Sequence, residues 1–250
     1  MSSSKAVDYE SDRLTSEYLH FHYGKAEEVF PWGSGLRAVT SYAERLIAER
    51  FPCVPVDRGL EVGCAVGRSS FEMARHCEEV VGIDYSEKFI TTAKSLQAGD
   101  SIQYSVRMQG VRTQDFTARA PEDVDLSRVR FEVGDAHALP EELDAFDWVL
   151  GANLLCRLHH PRQFLQQLPR LVTPGGYLVL NSPFTWMEEH TEPAEWIGGQ
   201  VDGPDSAEEL KAILDPHFEL VDECSMPFLI RETERKYQLT VAHSGKWRRR

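Results

Sequence analysis

The stretch GLEVGCAVGRSS, Gly59 to Ser70, leaves few folds open to this chain. An apolar run carrying an acidic residue, Glu61, meets two glycines, Gly63 and Gly67, just before a helical pattern begins. Glycine has no Cβ, so such a turn lets backbone N–H groups and a helix N-terminus approach a ligand closely. Strand, glycine turn and helix in that order belong to a parallel α/β sheet whose ligand lies over the carboxyl ends of the strands. The turn alone leaves a nucleotide or dinucleotide ligand open, because strand-loop glycine pairs are widespread.

The same alternation recurs along the chain. Short apolar runs predict strands at 59–62, 80–84, 129–133, 146–152 and 176–180, with 218–221 and 237–242 as the last two. Helical patterns fall at 69–76, at 86–97 behind Ser86 as N-cap, and over SAEELKAIL after Asp205. This order predicts a parallel sheet covered by helices. The first fifty residues differ: Tyr9, Tyr18, Phe21, Tyr23, Phe30 and Trp32 crowd them, and 41–50 has helical periodicity, so they read as a helical cap. The connection 97–128 is long for a crossover and has no assigned role; such a segment is a lid or binding segment, or is disordered. The basic end Lys246, Trp247, Arg248, Arg249 and Arg250 is expected to fray rather than to dock a partner.

Composition narrows the function. The net charge of -13 argues against nucleic acid as the main partner, since binding phosphates takes a concentrated basic surface. No apolar run approaches the roughly 18 residues of a membrane span, and MSSSKAVDYESDR lacks a signal-peptide core, so a cytoplasmic location is expected. Cys53, Cys64, Cys77, Cys156 and Cys224 include no CxxC pair, and His20 and His22 have no third ligand at a sensible spacing, so no metal is expected.

Taken together, Glu61-Val-Gly63-Cys-Ala-Val-Gly67, Asp84 closing the second strand, Phe131-Glu-Val-Gly-Asp135-Ala136, Phe146 to Asn153 and Pro174-Gly-Gly176 resemble the ordered motifs of the class I S-adenosylmethionine-dependent methyltransferases. The resemblance implies a Rossmann-like, mostly parallel seven-stranded sheet with helices on both faces and a helical N-terminal cap. It implies a single domain over 1–250: the cap at 1–52, a cofactor-binding core at 53–182, and a substrate-side insertion with the last strands at 183–250. It places the cosubstrate against Glu61, Gly63, Cys64, Ala65, Gly67, Arg68, Asp84, Tyr85, Asp135, Ala136 and Asn153. Asp84 would take the ribose hydroxyls, Asp135 would lie near the adenine amino group, and Glu61 would favour the cationic end. Read without the resemblance, Cys64 is a small packing residue, Asp135 can cap the following turn, and Asp147 is a surface or turn carboxylate.

A narrower likeness lies outside those motifs. SEYLHFHYG (16–24), GCAVGRSSFEMAR (63–75), ANLLCRLHHPRQFL (152–165), LNSPFTWMEEHT (180–191) and MPFLIRETERKYQLTVAHSGKWRR (226–249) look like the methyltransferase of ovothiol biosynthesis, which methylates an imidazole nitrogen of 5-thiohistidine and often follows a sulfoxide synthase in one polypeptide. His159-His160 and the 97–128 segment depart from that pattern. The resemblance implies a small thiohistidine substrate, functional pairing with a sulfoxide synthase, and attack by a neutral ring nitrogen on the sulfonium methyl. Asn153, Tyr18 and His22 are the candidate catalytic residues. Arg157 or Arg231 would meet the carboxylate, Glu188 or Glu189 the ammonium, and Tyr23, Trp186 or Tyr237 the ring. A methyltransferase for another small amine or imidazole metabolite, and a non-catalytic S-adenosylmethionine-binding regulatory module, remain open.

Overall fold

The computed structural model describes residues 8–33 and 35–250; residues 1–7 and Ser34, expected in the cap, lie outside the described residues. The elements run α1 (Asp12–Tyr23), α2 (Ala26–Val29), α3 (Tyr42–Arg50), β1 (Val56–Val62), α4 (Arg68–Met73), β2 (Cys77–Asp84), α5 (Glu87–Gln97), β3 (Ile102–Gln109), β4 (Arg112–Ala118), β5 (Val129–Val133), β6 (Phe146–Ala152), α6 (Pro161–Leu171), β7 (Val172–Ser182), α7 (Ser206–Leu214), β8 (Phe218–Arg231) and β9 (Tyr237–Arg249).

Seven strands form one sheet in the order β5-β2-β1-β6-β7-β9-β8, with β9 antiparallel to both of its neighbours. The chain therefore winds outward from β1 in one direction and then from β6 in the other. In an open α/β sheet, that reversal leaves a crevice at the carboxyl ends of the two central strands. Each face carries its own apolar layer. Leu46, Phe71, Phe89 and Trp148 pack on the side of α3, α4 and α5, while Leu60, Val81, Phe164 and Leu210 pack on the side of α6 and α7. Gly67 starts α4 at φ 85°, and a Cβ there would come within 2.6 Å of the Phe131 ring, so glycine is required on both counts.

Two expectations are corrected. The 97–128 connection contains an antiparallel hairpin, β3–β4, whose Tyr104 and Phe116 lie against His20 of α1. The alternation Ile102, Tyr104, Val106, Met108 is the signal that marks it as a strand. The basic end does not fray: it is paired along β8 and β7, and Trp247 is 1% exposed inside the second apolar layer. β8 outruns its apolar patch because Asp222 and Glu223 sit on an exposed sheet edge where polarity costs little. Among the described residues, no helix is long and apolar enough to cross a membrane.

Candidate active site

The turn after β1 is held by the end of β2. Gly63 N and Cys64 N donate to Ile83 O at 2.7 and 3.1 Å, and Ala65 N donates to Asp84 Oδ2 at 2.9 Å. Gly63, Ala65 and Gly67 all have positive φ, and for Ala65 at 47° this is strained backbone that the Asp84 bond helps to retain. The other Asp84 oxygen accepts from Ser86 N at 2.9 Å, where α5 begins. Each carboxylate oxygen keeps a free lone pair. Burial pushes the Asp84 carboxyl up, against the lowering effect of the Ser86 and Ala65 bonds. Tyr85, next in the chain, leaves its ring 78% exposed.

Glu61 is buried, and Ser70 Oγ donates to its Oε2. Burial pushes its carboxyl up to about 7, despite the Ser70 and Ser69 bonds. Cys64 is fully buried, and burial pushes its thiol well up, as a packing residue requires. Arg68 turns away from the turn and pairs with Glu44 and Glu72. At the end of β5, Asp135 Oδ1 accepts from His137 N at 2.9 Å and from the His137 ring at 2.6 Å. Those bonds outweigh partial burial and hold the Asp135 carboxyl below its ordinary value. Ala136 is buried beside it.

Beyond β6, Asn153 sits at φ 54° with its N–H donated to Asn181 O at 2.8 Å, and its Oδ1 is buried without a partner. Asp147, at the opposite end of β6, accepts from Asp57 N, Arg58 N and Thr173 Oγ1, which is structural.

The N-terminal segment lies over this crevice. The Tyr23 hydroxyl donates to Val66 O, Tyr18 packs on Phe89 with ring centroids 4.7 Å apart, and Ser86 Oγ donates to Tyr9 O. Burial raises the Tyr9 phenol's pKa, resisted by the positive charge of Arg157. His22 follows Tyr18 by one helical turn. Burial pushes its imidazole down to about 3, so the ring stays neutral, and Nδ1 is buried without a partner.

The remaining substrate candidates divide. Arg157 donates from Nη1 to Cys156 O at 3.0 Å and stands beside Tyr9. Glu189 lies 3.7 Å from His190, and Glu188 is exposed. Trp186 donates to Ser206 Oγ at 3.0 Å and packs on the second apolar layer. Arg231 is 4% exposed and spends its nitrogens on Thr233 O, Glu28 O and Met108 Sδ. Tyr237 donates to Glu234 O and accepts from Trp32. Both sit at the tip of the β8–β9 hairpin; Tyr237 is roughly 20 Å of strand beyond the residue paired with the end of β7. The fold does not bring them to Asn153. Tyr42, which the sequence expectation does not name, accepts from Asn181, whose carbonyl in turn accepts from Asn153 N.

The methyltransferase domain family matches residues 60–180, the span from β1 to β7 that carries the glycine turn, Asp84, Asp135 and Asn153. Residues 60–180 form a methyltransferase domain, and the chain has the sheet order and fold of the class I S-adenosylmethionine-dependent methyltransferases. Its cosubstrate is S-adenosylmethionine, and the residues present fit it. Asp84 has acceptor capacity for ribose hydroxyls, and the exposed Tyr85 ring offers a face for the adenine. This methyltransferase is similar to ajmaline N-methyltransferase of Rauvolfia serpentina, 24% identical over 68% of this chain and 53% of that one. It is also similar to a probable chloroplastic tocopherol O-methyltransferase of Oryza sativa subsp. japonica, 26% identical over 86% and 52%. The chain thus spans about half the length of these curated relatives. Among solved structures, the N-methyltransferase NodS of Bradyrhizobium japonicum WM9 in complex with S-adenosyl-L-homocysteine shares the fold, with TM-score 0.55 and 18% identity over 94% of this chain and 98% of that one. Among the described residues, no group of three or more His, Cys, Asp or Glu is placed to hold a metal ion.

Proposed function

We propose that this methyltransferase methylates an imidazole nitrogen of 5-thiohistidine, giving the ovothiol skeleton, with the thiolated substrate supplied by a sulfoxide synthase. The support is the resemblance carried by residues 16–24, 152–165, 180–191 and 226–249, joined to one feature of the crevice. Arg157 stands beside Tyr9, Asn153 Oδ1 is buried without a partner just beyond β6, and the aromatic face of α1 closes above. That combination suits a small amino acid with a polar ring: a guanidinium for the carboxylate, an acceptor for a ring N–H, and aromatic walls.

When bound, S-adenosylmethionine supplies a methyl group on a sulfonium. The chain's own part is alignment. Asp84 and the glycine turn hold one partner, while Arg157 and Asn153 orient the other, and holding the reacting atoms in line provides much of the catalysis. A neutral imidazole already carries a lone pair, so no strong base is needed. His22, held neutral down to about pH 3, is a hydrogen-bond acceptor rather than a proton carrier at working pH. Glu189, on the Arg157 side through His190, is the candidate partner of the substrate ammonium.

The test is turnover with labelled S-adenosylmethionine across 5-thiohistidine, histidine and other azoles and amines, read by mass spectrometry. A site built around the sulfur and its polar contacts should reject histidine strongly, by on the order of 100-fold or more in kcat/KM, because unmatched buried polar groups are costly. Arg157→Gln should raise KM for 5-thiohistidine, whereas Arg231→Gln should lower stability and leave KM near the parent value. Equal efficiency on histidine overturns the substrate assignment. Binding of S-adenosylmethionine without turnover of any acceptor would make the chain a regulatory module.

A further inference from the structure

His137 lies just past the end of β5 and is engaged through both ring nitrogens. Its Nδ1 is 2.6 Å from Asp135 Oδ1, and His160 N, at the start of α6, donates to its Nε2 at 3.2 Å. An N–H aimed at Nε2 requires a lone pair there, so the ring proton sits on Nδ1 and is donated to the carboxylate. The ring is boxed as well. His159 lies nearly parallel to it with centroids 6.5 Å apart, and His160 meets it edge-on at 5.9 Å. The backbone around it is tied to α6, since Gln167 Nε2 donates to Ala136 O and Gln163 Nε2 to His137 O, both at 2.9 Å.

Asp135 Oδ1 also accepts from His137 N at 2.9 Å, so one carboxylate oxygen carries both bonds and Oδ2 carries none among the described residues. The side chain is half-exposed. It stands next to Asp84: Val133 pairs with Asp84 across β5 and β2, and Gly134 N donates to Asp84 O at 2.9 Å.

We propose that His137 is a positioning residue of the cosubstrate site: pinned by His160 N, it fixes the Asp135 carboxylate through Oδ1 and keeps Oδ2 for the 6-amino group of the adenine. This rests on reading the carboxyl edge as the S-adenosylmethionine site with Asp84 at the ribose. Of the donors the cosubstrate carries, the ribose hydroxyls go to Asp84, and the ammonium lies beyond the sulfonium on the other side of the ribose. The amino group of the base is left for the next strand outward. A specificity follows: a purine with an amino group there offers an N–H to Oδ2, whereas one with a carbonyl sets oxygen against oxygen. The pair His159-His160, which departs from the ovothiol pattern, becomes the wall and the anchor of the imidazole.

The first arm of the test needs no ligand. In protein labelled with 15N in its histidine rings, the His137 signals are assigned by their loss in His137→Phe; in mildly alkaline buffer Nδ1 should carry the proton and Nε2 none. The second arm is calorimetry with S-adenosylhomocysteine and S-inosylhomocysteine, which differ at the 6-position of the base. The parent should prefer the adenosyl compound by on the order of 10-fold or more, and His137→Phe, which keeps a ring, should cut that preference about 5-fold. His137→Asn, which offers an amide N–H in place of Nδ1, should restore most of it. A purely structural role would weaken both compounds alike and leave their ratio unchanged. In an Asp135→Ala background His137→Phe should change the preference no further, since a residue acting through Asp135 has no effect once the carboxylate is gone. Should His137→Phe not fold, His137→Gln, which keeps an acceptor for His160 N and loses the donor toward Asp135, carries the same measurements with the same sign. A proton on Nε2, or a preference that Asp135→Ala abolishes and His137→Phe leaves intact, overturns the positioning role. A preference that neither substitution alters takes the base away from Asp135 and the proposal with it, while the binding of S-adenosylhomocysteine still upholds the site. Failure of both compounds to bind the parent overturns the reading of the site itself.

Discussion

The Tyr23 hydroxyl donates a 2.8 Å hydrogen bond to the carbonyl of Val66, fastening the last turn of α1 to the middle of the glycine turn between β1 and α4. A residue before the sheet begins thus ties α1 to the turn proposed to hold the cosubstrate. Val66 is fully buried, so without that bond its carbonyl has no access to water as a substitute. Tyr23→Phe should therefore cost about 1 kcal/mol of stability, and somewhat more if the carbonyl stays unpaired. Thermal or urea unfolding checks the first effect, and calorimetric S-adenosylmethionine affinity should fall alongside. An unchanged unfolding curve would mean that the helix is held by its apolar face alone.

Asp84 plays two parts, and a single substitution removes both. Its carboxylate closes the turn through Ala65 N and starts α5 through Ser86 N, with lone pairs left for the ribose. Asp84→Ala should weaken S-adenosylmethionine binding by about 1 to 3 kcal/mol, the range for a lost charge-assisted bond. Because Ala65 then loses the partner of its strained conformation, a fall in stability should accompany the loss. A folded variant with parental affinity by calorimetry excludes Asp84 from the site.

Glu61 makes stability depend on pH in a direction that can be stated beforehand. Its carboxyl is held at about 7 by burial, against roughly 4.3 for an exposed glutamate. Between those values the folded chain keeps a proton that the unfolded chain has released. Its contribution to stability is therefore present below about pH 4.5, falls as the pH rises through 7, and levels off above. The buried His20 and His22, lowered to about 4 and about 3, act oppositely: their contributions are complete above about 6.5 and are lost as the pH falls. The difference between parent and Glu61→Gln isolates the glutamate. Urea unfolding at pH 5 and pH 8 should show the variant gaining roughly 1 to 3 kcal/mol on the parent between the two. Identical pH slopes would place the Glu61 charge in contact with water.

What the chain reveals on reading is what it encodes locally. Glu61, Gly63, Gly67 and Asp84 were legible because a strand, a tight turn and a helix start are each written within a few residues of one another. The β3–β4 hairpin was equally local, with Tyr104 and Val106 alternating with Ser105 and Arg107, but its length disguised it as a loop. Arg231 misled for the opposite reason. A guanidinium suggests a carboxylate, yet its partners are the carbonyl of Glu28 and the sulfur of Met108, remote in sequence and chosen only by the meeting of two hairpin tips with α2. The bond between Tyr42 and Asn181 has the same invisibility, since its partners lie 139 residues apart in the chain.

The covering helix offers the most direct test of the site as a whole. Deleting residues 1–24 removes Tyr9, Tyr18, His22 and Tyr23 together and leaves Glu61, Asp84, Asp135 and Asn153 in place. Methyl transfer to the acceptor should be lost, while S-adenosylmethionine binding should weaken and remain measurable. The reason is the proposed division of labour in the crevice, in which strand ends contact the cosubstrate while α1 excludes water and walls the acceptor. The deletion also uncovers Phe89, Tyr104 and Phe116, which α1 and the segment before it now cover, so the truncated protein needs a fold check by circular dichroism. Tyr18→Ala is the milder companion. Its ring packs 4.7 Å from Phe89, and its loss should lower kcat by more than it lowers cosubstrate affinity. If the truncated chain stays folded and methylates at the parent rate, the acceptor pocket is formed by the segments around Asn153 and Arg157 alone, and α1 is a structural cover with no part in the reaction.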